Sequence, residues 1–153
     1  MMTTPRMQML LFRCGSQRCA LPASDVSEVM RPQPINSVTT SAAFVDGMSL
    51  IRGLPVPVVS VARLLDCGAH EPASRFIIVK IDSRLVALAV SEVYAVREFQ
   101  ERQLSALPPL LGADTASAVT GLEVLDHQLL VVLGCARLLS SEHWDELLAD
   151  ASA

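Results

Sequence analysis

Val58-Val59-Ser60-Val61-Ala62-Arg63-Leu64-Leu65 returns 74 residues later as Val132-Leu133-Gly134-Cys135-Ala136-Arg137-Leu138-Leu139. A second echo precedes it: Val26-Ser27-Glu28-Val29 recurs 64 residues on as Val90-Ser91-Glu92-Val93. One tetrapeptide match is close to chance. Two matches in the same order, each in the same strand context, imply an internal repeat of two β-units. The ten-residue difference in offset falls in the loop-like stretch 100–118, where an insertion costs little closure entropy. Units of about 65 and 75 residues bury too little surface to stand alone, so they are expected to pack together.

The rest of the chain keeps the rhythm of short strands. Met7–Cys14 is apolar around polar Gln8 and Arg13, Gly15-Ser16 marks a turn, and Arg18–Leu21 returns as a hairpin partner. Val26–Met30, Met48–Arg52 and Val56–Val61 follow, and Ala62–Leu65 reads as one helical turn. Pro55 and Pro57 predict that their strand lies at an edge or a bulge. Cys67–Ser74 is the expected linker between subdomain one (about 7–66) and subdomain two (about 75–148). Strands resume at Arg75–Ile81, Leu85–Val90 and Val93–Glu98, with a last hairpin at Val119–Leu125 and Gln128–Leu133. The only long helical pattern is Cys135–Leu148, with Leu138, Leu139, Trp144, Leu147 and Leu148 on one side.

Composition narrows the function. The chain has 153 residues, 51% of them apolar and only 4% aromatic, which excludes disorder. No apolar run approaches the ~20 residues that span a bilayer. The net charge is −4, Lys80 is the single lysine, and the arginines are scattered, so nucleic acid is not an expected partner. Membrane insertion is not expected either. Met7–Phe12 is too short for a signal sequence, and a cytoplasmic location is expected. Cys14, Cys19, Cys67 and Cys135 form no CxxC and have no histidine at ligand spacing. Cys14 and Cys19 fall on facing hairpin strands, which leaves a bridge open, but in a cytosolic chain buried thiols are the plainer reading.

Chemistry is absent from the pattern. There is no glycine-rich phosphate loop and no GxSxG elbow. His70, His127 and His143 fall in a linker, a turn and a helix, and Glu98 and Glu101 read as solvated loop acids. No catalytic residue, cofactor site or metal site is expected. Two charges stand out. Arg52 sits between an apolar strand and Gly53, and Glu28 sits in a strand between Val26 and Val29. Read from residue type alone, they are exposed strand charges, worth ~0–1 kcal/mol if paired.

Gly47-Met48-Ser49-Leu50-Ile51-Arg52-Gly53-Leu54-Pro55-Val56-Pro57-Val58-Val59 resembles the G-x-x-N-L-R-G-x-x-x-P-V-x-D-L signature of the CheW-like family, the chemotaxis coupling proteins. The likeness runs from about Met7 to Leu148. It takes in Phe12, Leu21-Pro22, Val26–Met30, Val90–Val93, Thr120-Gly121-Leu122 and Leu138–Glu142. The resemblance implies an all-β fold: two SH3-like five-stranded β-barrels about a pseudo-twofold, a hydrophobic cleft between them, and a C-terminal helix. It implies no catalysis. Members are adaptors that join the cytoplasmic hairpin tip of chemoreceptors to the regulatory domain of a CheA-type histidine kinase, in arrays at the membrane.

The positions matching the family's receptor-coupling residues are Val26, Glu28 and Arg52, with Glu28 and Arg52 expected to form a salt bridge. Val29, Ile51, Val90, Val93 and Val96 are the expected lining of the cleft, where a helical receptor tip would lay its apolar face. The chain departs from the pattern at Leu50 for Asn, Ser60 for Asp, Ala62 for Arg and Ser91 for Asp. Polar groups that brace turns or interfaces are therefore expected to be missing. Three alternatives stay open: an adaptor of a non-flagellar pathway (surface sensing with cyclic-di-GMP output, or type IV pilus motility), one that self-associates, and an SH3-like module for proline-rich peptides.

Overall fold

The computed structural model describes residues 6–67, 72–100, 119–135 and 138–151. The first half supplies β1 (Arg6–Cys14), β2 (Gln17–Pro22), β3 (Val26–Met30), β4 (Val45–Ile51), β5 (Leu54–Ser60) and the short helix α1 (Val61–Leu65). The second supplies β6 (Arg75–Ile81), β7 (Arg84–Val90), β8 (Glu92–Gln100), β9 (Val119–Leu125), β10 (Gln128–Leu133) and helix α2 (Ser141–Ala151). His70 and Glu101 lie outside the described residues, as do Ala136, Arg137, most of the 100–118 loop and the middle of the 67–74 linker.

The strands form two five-stranded sheets of identical plan, β8-β1-β2-β10-β9 and β3-β6-β7-β5-β4. In the first, β1 is antiparallel to β2 and β8, β10 is parallel to β2, and β9 is antiparallel to β10. In the second, β6, β7, β3, β5 and β4 repeat those relations in turn. The internal repeat is therefore present in the topology, but the sheets do not follow the halves 7–66 and 75–148. The β1–β2 hairpin joins β8–β10, and β6–β7 joins β3–β5, so each half lends the other a hairpin.

Register also shifts one of the two echoes. Val26 faces Val79 and Val93 faces Phe12, which makes Val26 and Val93 equivalents, 67 residues apart. By the same rule Val29 matches Val96, since they face Ile77 and Leu10. The 64-residue tetrapeptide match is thus a coincidence of sequence. The other echo holds: Gly47 faces Val58 as Gly121 faces Val132, an offset of 74.

Three apolar cores result. Met9, Leu11, Ala20, Phe99, Leu130 and Val132 fill the first barrel. Ile51, Val56, Val58, Phe76, Ile78, Ala87 and Ala89 fill the second. The largest lies between the sheets and draws on the opposite faces of the same strands, with Leu10, Phe12, Leu21, Ile77, Val79 and Leu88 among its members. This alternation is the period-2 pattern of strands with both faces covered. Trp144 and Leu147 of α2 complete that central core.

Several expectations change here. β5 is an interior strand between β7 and β4. Its prolines are tolerated because the ladder to β7 is confined to Val58–Ser60, beyond both. α2 begins at Ser141, not near Cys135, because Ser140 caps it: its Oγ accepts the His143 N–H at 3.2 Å, and its own N–H donates to His143 Nδ1 at 3.2 Å. Cys14 pairs in register with Gln17 and Cys19 with Phe12, so the two cysteines are not opposite one another, and no disulfide joins them. Two of the substituted polar positions do brace their turns. Ser60 Oγ accepts the Arg63 N–H and caps α1, and Ser91 Oγ accepts the Gly15 N–H where β7 passes into β8.

Candidate partner-binding face

The second sheet is an incomplete cylinder with β3 and β4 at its edges. Asn36, after β3, closes it by a two-way backbone bridge to Met48 on β4, with both N–H···O distances 2.8 Å. Ser49 is the one fully buried polar residue among those described, and its Oγ donates to the Pro34 carbonyl at 2.8 Å. Gly47 permits this closure: a Cβ there would lie 2.2 Å from the Asn36 carbonyl oxygen, on a backbone at φ +151°.

Glu28 and Arg52 meet across the same seam. Glu28 is carried by β3, and Arg52 stands at the β4–β5 turn. Arg52 Nη2 donates to Glu28 Oε2 at 2.6 Å. The Arg52 side chain is 77% exposed and that of Glu28 28%. Arg52 and Gly53 both have positive φ, +53° and +79°, the backbone of a tight two-residue hairpin turn.

The strands that carry the pair also expose apolar side chains. Val29 on β3, Leu50 on β4 and Leu54 on β5 are all exposed. Leu50 and Leu54 escaped the sequence reading, although both flank a turn that must be solvated. Of the remaining expected residues, Val96 is exposed, and Val26 and Val93 are half-buried against the central core. Ile51 and Val90 are 2% and 1% exposed, in the second barrel's interior and in the central core. Neither side chain is presented on the open surface, although Val90 also lines a recess at the seam between the sheets.

A recess of about 270 Å³ at that seam is lined by Cys14, Asp46, Arg63, Ala89, Val90 and Ser91 among others. Arg63 Nη2 reaches Asp46 Oδ1 at 2.5 Å, without hydrogen-bond alignment. Burial pushes the Asp46 carboxyl above its usual range, more than Arg63 pulls it down. No group of three or more metal-ligating side chains occurs among the described residues.

Residues 8–143 match the model of the CheW-like domain. The chain belongs to the CheW-like family. It is similar to the chemotaxis protein CheW of Klebsiella aerogenes, at 22% identity over 137 residues covering 88% of this chain and 82% of that one. It is also similar to protein FrzA of Myxococcus xanthus, at 27% identity over 115 residues covering 74% and 71%. Among solved structures, the scaffolding protein TtCheW of Thermoanaerobacter tengcongensis shares the fold, with a TM-score of 0.79, 23% identity and 92% of each chain covered. CheW-like proteins are non-catalytic scaffolds of chemotaxis, so the chain works by contact. Two five-stranded sheets and one short C-terminal helix agree with the expected CheW-like fold. Among the described residues no helix is long and apolar enough to cross a membrane.

Proposed function

We propose that this CheW-like chain couples the cytoplasmic hairpin tip of chemoreceptors to the regulatory domain of a CheA-type histidine kinase, in cytoplasmic arrays at the membrane. The Glu28–Arg52 pair and the exposed apolar residues of the strands that carry it form the contact face. The observation that carries this reading is the backbone of Arg52. Among the described residues, the other non-glycine residues at positive φ are Asp66, Asp82, Asp126 and His127, types that adopt this conformation readily. An arginine there costs about 1–2 kcal/mol. Its exposed ion pair returns only ~0–1 kcal/mol. The fold gains little from Arg52, and a strained, solvated cation on strands that also expose Val29, Leu50 and Leu54 is what an orienting contact requires.

The test is binding by the purified chain to a receptor tip fragment and to the kinase regulatory domain from the same genome. Arg52→Glu should weaken binding to the receptor fragment while circular dichroism stays native. Wild-type affinity in a folded Arg52→Glu protein would remove the pair from the contact.

A second reading, service in a non-flagellar pathway, is favoured by Leu50. An apolar residue 63% exposed replaces the asparagine of the family signature at the edge of the same face. Genes for flagella, pili or a diguanylate cyclase beside this one would separate the two.

A further inference from the structure

β5 and β7 run parallel, so Leu54 and Arg84, which open them, lie at the same end of the second sheet. There α2 closes over the sheet and leaves a groove of about 190 Å³, walled by Leu54, Val56, Leu85, Trp144 and Leu148. A space of that size admits one large apolar side chain. Leu54 and Leu148 remain about half exposed at its mouth. Arg84 stands on the rim, its guanidinium carbon 4.6 Å from the centroid of the Trp144 ring. Among the described residues no carboxylate pairs with it, although Asp82 lies on its own turn and Asp145 on the facing helix.

We propose that this groove docks an acidic amphipathic helix of a partner protein. One apolar side chain enters between Leu54 and Leu148, and a carboxylate one helical turn away meets Arg84. Charge selects the occupant. The chain carries a net charge of −4, which disfavours acidic segments in general. A guanidinium fixed against an indole face, without a carboxylate of its own, reverses that preference at this one place. The stack also holds the planar fork at the rim, so little further side-chain entropy is lost when a carboxylate arrives. The site shares Leu54 with the face that carries Glu28–Arg52, but its charge comes from Arg84, and the argument does not depend on the role assigned to that pair.

Trp144 is the only tryptophan, so its emission reports occupancy directly. The probes are two capped alanine-based helical peptides, one with Leu and Glu a turn apart, the other with Lys in place of Glu. The acidic peptide should shift Trp144 emission and bind about tenfold more tightly than the basic one. Arg84→Glu should reverse that order, and Arg84→Gln, the milder change, should abolish the difference. Unchanged Trp144 emission with the acidic peptide, equal binding of both peptides to the wild type, or an unaltered preference in a folded Arg84 variant would each overturn the proposal.

Discussion

Arg52 and Asp126 occupy the same position in two equivalent hairpins. Gly47 faces Val58 and Gly121 faces Val132, so the β4–β5 and β9–β10 hairpins superpose at an offset of 74, which takes Arg52 to Asp126 and Gly53 to His127. All four residues have positive φ. The partner acid is not duplicated either: Glu28 faces Ile78 as Ala95 faces Leu11, so its equivalent is alanine. The two barrels thus share a backbone but present opposite charges at corresponding ends. A duplicated fold has become directional, and a directional adaptor can hold two different partners in a fixed order.

The strain at Arg52 has a direct measure. Arg52→Gly and Arg52→Ala both remove the ion pair, but only glycine relieves the left-handed backbone. Arg52→Gly should therefore exceed Arg52→Ala in stability by about 1 kcal/mol, read from urea midpoints. Equal midpoints would mean that the turn carries no strain, and the argument from conformation would fail with it.

Burial separates the apolar candidates into two kinds. Val29 and Val96 are exposed and mutually equivalent, so Val29→Asp and Val96→Asp should leave the thermal midpoint within a few degrees of wild type while weakening partner binding. Ile51 and Val90 are fully buried in close-packed cores. Ile51→Asp and Val90→Asp should unfold the chain, since an unpaired buried carboxylate costs several kcal/mol. A folded Val90→Asp protein with a normal midpoint would show that the seam between the sheets opens in solution.

These contrasts mark what the sequence could convey. Strand positions were legible because a short apolar run bounded by polar and turn residues is a local signal, as in Arg75–Ile81 and Gln128–Leu133. The exchange of hairpins was not, since nothing in the residues of β1 and β2 names β8 and β10 as their neighbours. Pro55 and Pro57 misled for a similar reason: a proline excludes one hydrogen bond, not an interior place, when the neighbouring ladder starts beyond it. Glu28 and Arg52 were legible through family resemblance. Leu50 and Leu54 were not, although both flank the Arg52-Gly53 turn, because an apolar strand residue does not itself say whether its side chain turns into a core or out to solvent.

Gly47 should be the least replaceable glycine among those described. An added Cβ would lie 2.2 Å from the Asn36 carbonyl, and that strand bridge closes the barrel carrying Glu28 and Arg52. Gly47→Ala should cost about 3 kcal/mol or more, or free the 31–36 segment from β4. Calorimetry distinguishes a lowered midpoint, and hydrogen exchange at the Asn36 and Met48 amides distinguishes release. Gly53→Asn at the turn serves as the control, because nothing lies within 4 Å of its added Cβ and Asn accepts its φ of +79°.

Two carboxylates give opposite pH signatures. Glu146 on α2 accepts the Ser41 N–H at 2.6 Å and the Ser41 hydroxyl at 2.9 Å, tying the 31–44 segment to the helix. The backbone bond first, then the hydroxyl, holds its carboxyl below the ordinary 4.5, with Thr40 and His143 adding in the same direction. A depressed folded pKa means a stabilisation present above the unfolded value and lost as pH falls through the folded one. Glu146→Gln should therefore lower the thermal midpoint at neutral pH, with the deficit vanishing in acid. Asp46 runs the other way. Burial raises its carboxyl above 3.8 in spite of Arg63, so its ionised form is a liability at neutral pH that protonation removes as pH falls through the folded pKa. Asp46→Asn should raise the midpoint at neutral pH, and the gain should fade in acid. Midpoints measured from pH 7 down to pH 3 on the two variants should thus approach wild type from opposite sides, and a common slope would refute both assignments.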